Sequence, residues 1–429
     1  MTRAPLGRSL LYGYLVVALA RPCGAQSLRS RFNELFVFGD CGVPLCLSGS
    51  DPIHALHFIP SSDSNVITLG LLQGLRSSIV TSVSNIPASA GSGGAAVVFV
   101  QGLPVTTPIS SGPVLGERAP TLGRHRLLLG VNVTGGRFDR LNGIPLKVVR
   151  LNFVHQDIGN PGLGDPQFEN DVITVTPDFH FSLLATSLFA TYGLTSVLDF
   201  GVIIPVIRAS LHGRSIGVIT CTNPCLHAFG TPAAPQLEDT ARVDASATGL
   251  GDVTLRTKLA LPSRGRWNFA LLAEARLPTG REKDFMGDGH FDLRAQAITS
   301  ATWGVFTGHA NGGYFARGGS ELNDAVLATV GFDVLALPWL TVAGDVASQW
   351  QIGQEVFSFG TSVSYLYPVA RTISLANVPD RRDDRLDGSL GIKLSNNRGL
   401  TGLANLYFPL RGAGLQAPLI WTLGAQYDF

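Results

Sequence analysis

Residues 419–429 read LIWTLGAQYDF. Leu419, Trp421, Leu423, Ala425, Tyr427 and Phe429 fall on one face, and Ile420, Thr422, Gly424, Gln426 and Asp428 on the other. Strict period two is the signature of a β-strand with one face against an apolar medium and the other against water or polar groups. The edge of a sandwich alternates too. The reading therefore turns on how many such strands the chain holds and where the chain is sent.

The same pattern recurs upstream. Phe291, Leu293, Ala295, Ala297, Ala301 and Trp303 oppose Asp292, Arg294, Gln296, Ser300 and Thr302. Trp267, Phe269, Leu271, Ala273 and Ala275 oppose Asn268, Glu274 and Arg276. Val253, Leu255, Leu259 and Leu261 oppose Thr254, Arg256 and Lys258, and Leu386 to Leu394 alternates with Asp387 to Ser395. These runs exceed the ~5–6 residues of ordinary strands and match tilted membrane strands of ~9–11 or more.

The N-terminus supplies a destination. Arg3 and Arg8 lead an apolar run from Leu10 to Ala20, and Cys23-Gly24-Ala25 ends on small residues before Gln26. This is the anatomy of a secretory signal peptide, assigned to residues 1–25, with cleavage expected after Ala25. Ala20-Arg21-Pro22 is a poor lead-in to a lipidated Cys23. Cys41, Cys46, Cys221 and Cys225 remain. Four cysteines allow three pairings. The local pairs Cys41–Cys46 and Cys221–Cys225 each flank a Pro-containing turn, and an oxidising compartment permits both bonds.

Composition agrees. Hydrophobic residues make up 45% and charged residues 15%, against roughly 25% charged in soluble domains. After the signal, no apolar stretch approaches the ~20 residues of a membrane helix. A net charge of +1 gives no basis for a nucleic-acid partner. Tight turns at Tyr192-Gly193-Leu194, Pro262 to Gly265, Leu337-Pro338 and Asn396 to Gly399 alternate with longer polar loops near 220–246, 279–288, 316–323 and 367–384. The expected fold is all-β: a transmembrane antiparallel barrel of about fourteen strands over residues 96–429. Residues 26–95 are a small, partly helical segment. Asp63 or Ser64 caps a helix there, with Ile67, Leu71, Leu75 and Ile79 on one apolar face. It plugs the barrel, docks at its periplasmic mouth or forms a periplasmic extension that merely precedes the first strand.

Few residues promise chemistry. Gly213-Arg214-Ser215-Ile216-Gly217 matches the nucleophile-elbow pattern but lacks the strand–turn–helix context. Asp284, Asp288 and Asp292 lack EF-hand spacing and read as a solvated loop. His54 and His57 have no carboxylate or cysteine partners nearby and read as incidental. No enzyme activity, metal or cofactor is expected. The informative set is the polar faces of three successive strands: Arg256 and Lys258; Glu274 and Arg276; Asp292, Arg294 and Gln296. Opposite charges pair across a ladder. Inside a barrel they line the lumen, either stiffening the wall or forming an eyelet that orients a solute.

Gly249-Leu250-Gly251-Asp252-Val253, then Leu277-Pro278-Thr279-Gly280 before an acidic Gly-rich loop, and Glu117-Arg118-Ala119-Pro120-Thr121-Leu122-Gly123 before the strand Leu127 to Val133, carry a family resemblance. The stretch from about residue 100 onward resembles the outer-membrane proteins grouped with the meta-pathway of phenol degradation, which in turn resemble long-chain fatty-acid transporter barrels. The transporters' N-terminal hatch motif has no clear counterpart, although Asn85-Ile86-Pro87-Ala88 lies nearby. The resemblance implies a monomeric barrel in the bacterial outer membrane with an N-terminal plug. Its partners would be outer-membrane lipid, the barrel-assembly machinery and a small hydrophobic or aromatic solute taken up passively. A general porin, or a structural or adhesive barrel, is the alternative.

Overall fold

The alternating runs pair into one antiparallel sheet that closes on itself. The structure, a computed structural model, describes residues 26–50, 55–58, 97–100, 103–106, 111–113, 115–155, 170–221, 225–319, 323–354, 362–366, 369–379, 381–396 and 398–429. The barrel strands are β1 (Leu127–Phe138), β2 (Val172–Gly193), β3 (Leu198–Thr220), β4 (Val253–Arg264), β5 (Trp267–Leu277) and β6 (Asp292–Trp303). They continue with β7 (Phe306–Ala316), β8 (Ala325–Leu337), β9 (Leu340–Gln351), β10 (Arg385–Ser395), β11 (Leu400–Pro409) and β12 (Ile420–Asp428). Each pairs antiparallel with the next, and β12 returns to β1 with Gly424 opposite Asn132.

Among the described residues the sheet holds fourteen strands, of which these twelve form the closed wall. The other two, Leu151–Val154 and Glu238–Leu250, lie along the far ends of β2 and β3. Closure leaves the wall no unpaired edge, as a sheet in lipid requires.

The faces follow the sequence register. Phe291, Leu293, Trp303, Trp421 and Tyr427 point outward and are exposed, while Asp292 and Gln426 are buried inside and Arg294 also faces in. The outward apolar residues form a continuous band, far larger than the few hundred Å² a soluble surface exposes. At the end with tight turns the band finishes in aromatic rings. Trp267 and Trp303 lie 5.9 Å apart, Phe306 and Phe332 6.0 Å, and Tyr427 and Phe429 4.5 Å. Such rings mark an interfacial girdle. No described helix is long and apolar enough to cross a membrane.

Three expectations change. The first strand of the closed wall is Leu127–Phe138, on which β12 closes, rather than one starting at residue 96. Among the described residues, 97–100 and 103–106 pair with each other, and the next described stretch lies within the lumen. The loop expected at 220–246 is shorter, because residues 238–250 form a strand. Its outward residues Arg242, Asp244 and Ser246 are polar, so the alternation that flags a lipid-facing strand is missing. The expected loop 367–384 holds part of a hairpin, Ser362–Tyr365 with Arg371–Ser374.

The missing alternation has a geometric cause. β2 and β3 run 22 and 23 residues, about twice a tilted membrane span. Their outward faces are apolar from Leu184 to Tyr192 and from Phe200 to Val206, then become polar. On that polar belt Asp178 meets Arg214 at 3.8 Å and His212 meets Asp244 at 2.9 Å. The wall therefore stands clear of the apolar band on the side of the long loops.

Candidate functional site: the barrel lumen

The lumen has two unlike halves. At the long-loop end the inward residues of β2 and β3 are apolar: Phe179, Phe181, Leu183, Ala185, Ile207 and Leu211 are all buried. His180 and Leu184 point out, so the uneven alternation of β2 places an apolar strip inside. The N-terminal segment lies on that strip. A short helix, α1 (Leu28–Phe32), is capped by Ser27, whose Oγ accepts the Ser30 amide at 3.3 Å. It runs into the 3-10 turn Asn33–Phe36. Phe32 meets Phe179 edge-on at 5.5 Å, Phe36 meets Phe153 at 6.0 Å and Phe38 meets Phe229 at 5.1 Å. These rings belong to one apolar cluster that includes Leu35, Leu45, Leu47, Phe58 and Phe285. Each fully buried large side chain contributes about 1.5–3 kcal/mol.

Polar ties orient the segment. The Leu28 amide donates to Asp284 Oδ1 at 3.0 Å, and the Gly39 amide to Asp239 Oδ2 at 2.7 Å. Ser215 Oγ donates to the Leu35 carbonyl from the middle of β3. Ser215 therefore sits in a continuous strand rather than at an elbow. Cys41–Cys46 and Cys221–Cys225 are disulfide-bonded, with Cα atoms 5.9 and 5.1 Å apart. The expected plug face of Ile67, Leu71, Leu75 and Ile79 lies outside the described residues, as does His54.

At the tight-turn end the lumen is charged, and residues 111–122 run through it. Glu117 lies 2.7 Å from Arg256 and 3.5 Å from Lys258. Arg256 also pairs with Glu274 at 3.1 Å, and Glu274 with Arg294 at 3.5 Å. Arg118 grips Asp333 with two nitrogens, Nε at 2.9 Å. The Ala119 amide donates to Ser300 Oγ at 3.2 Å and the Leu122 amide to Asp199 at 2.9 Å. The Ser111 amide donates to Thr341 Oγ1 at 2.9 Å, and Lys393 Nζ donates to the Ser111 carbonyl at 3.1 Å. One stretch is thus tied to β3, β4, β6, β8, β9 and β10. Beside it a small cavity of about 20 Å³ is lined by Glu117, Asp199, Arg256, Lys258 and Leu272.

All seven residues expected to line the lumen point inward. They divide into two groups. Arg256, Lys258, Glu274 and Arg294 hold each other and Glu117. Arg276 instead lies 3.5 Å from Asp292 and 3.7 Å from Asp288. Gln296 faces in with no ion pair. Arg276, Arg294 and Arg317 surround the Phe315 ring at 5.6, 4.8 and 4.9 Å. Burial, then repulsion from Arg276, lowers the Arg317 pKa to about 10, so it stays charged at neutral pH.

The acidic loop is a correction. Asp284, Asp288 and Asp292 are buried, not solvated. They are taken up by the Leu28 amide, Arg281 and Arg276. The Gly-Leu-Gly-Asp stretch explains why. Asp252 accepts the Gly280 amide at 2.9 Å and the Asp288 amide at 3.2 Å, folding the loop inward. A Cβ on Gly287 would stand 2.3 Å from Asp252 Oδ1, so the loop passes there only as glycine. The partners in the 111–122 stretch, and Asp333, Asp199 and Lys393 on the wall, were not among the expected lumen residues. Their inward register was readable, but their pairing with one threaded stretch was not.

The family described as "Putative MetA-pathway of phenol degradation" matches residues 163–376, from just before β2 to beyond β9. The chain groups with that family. Its closed wall with an outward apolar band is that of a bacterial outer-membrane barrel. Three solved structures are similar to the chain at low identity. An outer membrane channel from Pseudomonas putida F1 is 12% identical over 72% of this chain and 98% of its own, with a TM-score of 0.41. A deltaS2S3 mutant of the TodX monoaromatic hydrocarbon channel is 10% identical over 75% and 95%, with a TM-score of 0.31. A Pseudomonas aeruginosa FadL homologue is 12% identical over 71% and 90%, with a TM-score of 0.31. At these scores the likeness carries no inference. No curated protein matches the chain.

Proposed function

We propose that this barrel is an outer-membrane channel for the passive uptake of small hydrophobic compounds, aromatic ones included. The observation that carries the reading is the apolar inner face of β2 and β3 at the long-loop end, continuous with Phe32, Phe36 and Phe38. A water-filled porin has a polar interior. An apolar strip of this kind instead offers a hydrophobic solute a place to leave water, at roughly 25 cal/mol per Å² buried. The long-loop end would face outward and the tight-turn end the periplasm, the usual orientation of such barrels. Onward passage then requires residues 111–122 to shift, since their ion pairs occupy the charged half. The family's description as a phenol-degradation group favours aromatic solutes.

The lumen also argues against a general porin. Its charged half is bridged by Glu117 and Arg118 rather than left open to water.

The test is uptake by cells expressing the protein. Wild type is expected to accelerate uptake of a monocyclic aromatic compound, and Phe179→Asp, which puts a charge on the strip, to lower it to the level of cells without the protein. Unchanged uptake in correctly assembled Phe179→Asp would count against this reading.

A further inference from the structure

Three histidines from distant segments meet in the interior at the long-loop end. His57 lies in the turn 55–58, His155 directly follows the strand Leu151–Val154, and His227 precedes the strand Phe229–Thr231. Their relative exposures are 0, 2 and 1%, so bulk water does not reach them. His155 Nε2 stands 3.1 Å from His227 Nε2, and His57 Nδ1 stands 3.4 Å from that same nitrogen. One ligand atom from each of the three lies within 4.8 Å of the others. Two imidazole nitrogens bound at about 2.0–2.1 Å to a tetrahedral zinc ion stand roughly 3.3 Å apart.

The surroundings point the same way. Asp171 Oδ2 lies 2.7 Å from His227 Nδ1. A carboxylate only accepts, so Nδ1 carries the proton and Nε2 presents its lone pair to the cluster. This carboxylate–histidine arrangement orients metal-bound imidazoles. Phe58 closes over the site, its ring 4.7 Å from His155 and 5.2 Å from His227. Cys221 and Cys225 lie near Asp171 but are joined in a disulfide, so their sulfurs are not thiolate donors. Held by hydrogen bonds alone, the single Nε2 lone pair of His227 would be shared between two N–H donors. A cation satisfies three converging lone pairs together.

We propose that His57, His155 and His227 bind one divalent transition-metal ion, zinc before others, with Asp171 supporting His227. An all-imidazole set does not suit magnesium or calcium, which take oxygen ligands, and tetrahedral spacing favours zinc among the metals that imidazole suits. The ion clamps the N-terminal segment to the wall, since His57 is 170 residues from His227 in the chain. That separation is also why the sequence showed no metal spacing. The inference is independent of what the channel carries.

The test uses the full chain in detergent, stripped with a chelator and dialysed against zinc chloride alone, with bound metal counted by mass spectrometry. One zinc per chain is expected, and cobalt in its place should give the intense visible absorption of a four-coordinate site. His57→Ala and His227→Ala should abolish binding, and Asp171→Asn should weaken it by about 10–100-fold. The pair His180→Ala/His212→Ala, on the outward face, should leave it unchanged. Folding is checked by gel mobility before and after heating. If His227→Ala does not fold, His57→Ala carries the variant arm and the cobalt spectrum of the wild type needs no variant. Folded wild type that takes up no zinc, or folded His57→Ala that binds as wild type does, overturns the proposal.

Discussion

The two halves of the lumen are held by different forces. At the long-loop end, α1 and its 3-10 turn meet the wall through Phe32, Phe36 and Phe38 on Phe179, Phe153 and Phe229. That contact is non-directional and scales with area. At the tight-turn end, residues 111–122 meet the wall through Arg118 on Asp333 and Glu117 on Arg256. Those contacts are few, directional and costly to break singly. On the proposed reading, one half admits an apolar solute by repacking and the other acts as a latch that opens only when specific pairs separate.

The latch is where single changes should alter opening most. Asp333 is fully buried, so Arg118→Ala strips its guanidinium partner from a buried charge and should destabilise the latched state by about 3–5 kcal/mol. Planar-bilayer recordings should show longer or larger openings. Arg118→Ala combined with Asp333→Ala should recover much of the loss, and no recovery would mean the two residues do not act as a pair.

The apolar half should respond more gradually. Phe181→Ala removes a buried ring and should cost about 3–5 kcal/mol if the site stays rigid, less where the N-terminal segment repacks. Denaturant unfolding from micelles measures the cost. Longer or larger openings like those of the latch variant, at whatever stability loss, would erase the distinction between the halves.

On the outside, Leu271→Arg sets a charge in the middle of the apolar band. It should cost about 2–4 kcal/mol in bilayers, and a change near zero would contradict burial in lipid. The smallest effect is expected on the polar belt. Arg214→Ala breaks a half-exposed pair at 3.8 Å and should change stability by under about 1 kcal/mol.

The wall was legible from its sequence because period two records the medium on each side. Trp421 and Gln426 revealed their faces without any partner. The strand Glu238–Leu250 was not legible, since above the lipid its outer face meets water: Arg242 and Asp244 carry no apolar signal, and only Ala241 and Val243 are buried inward. The seven lumen residues were readable as inward, yet Gln296 makes no ion pair and Arg256 owes its fixed position to Glu117, 139 residues away. The acidic loop misled because solvation is the default for such a composition. Only the Asp252 carboxylate, reaching from an adjacent strand end, turns it inward. Pairings across the closed lumen leave no mark on local pattern.

The most direct test of the account compares two solutes in liposomes carrying the purified barrel. A small aromatic compound and a sugar of similar size are followed in parallel. The account predicts that the aromatic compound enters well above protein-free liposomes while the sugar stays at their level. Faster sugar uptake, or equal acceleration of both, would contradict it.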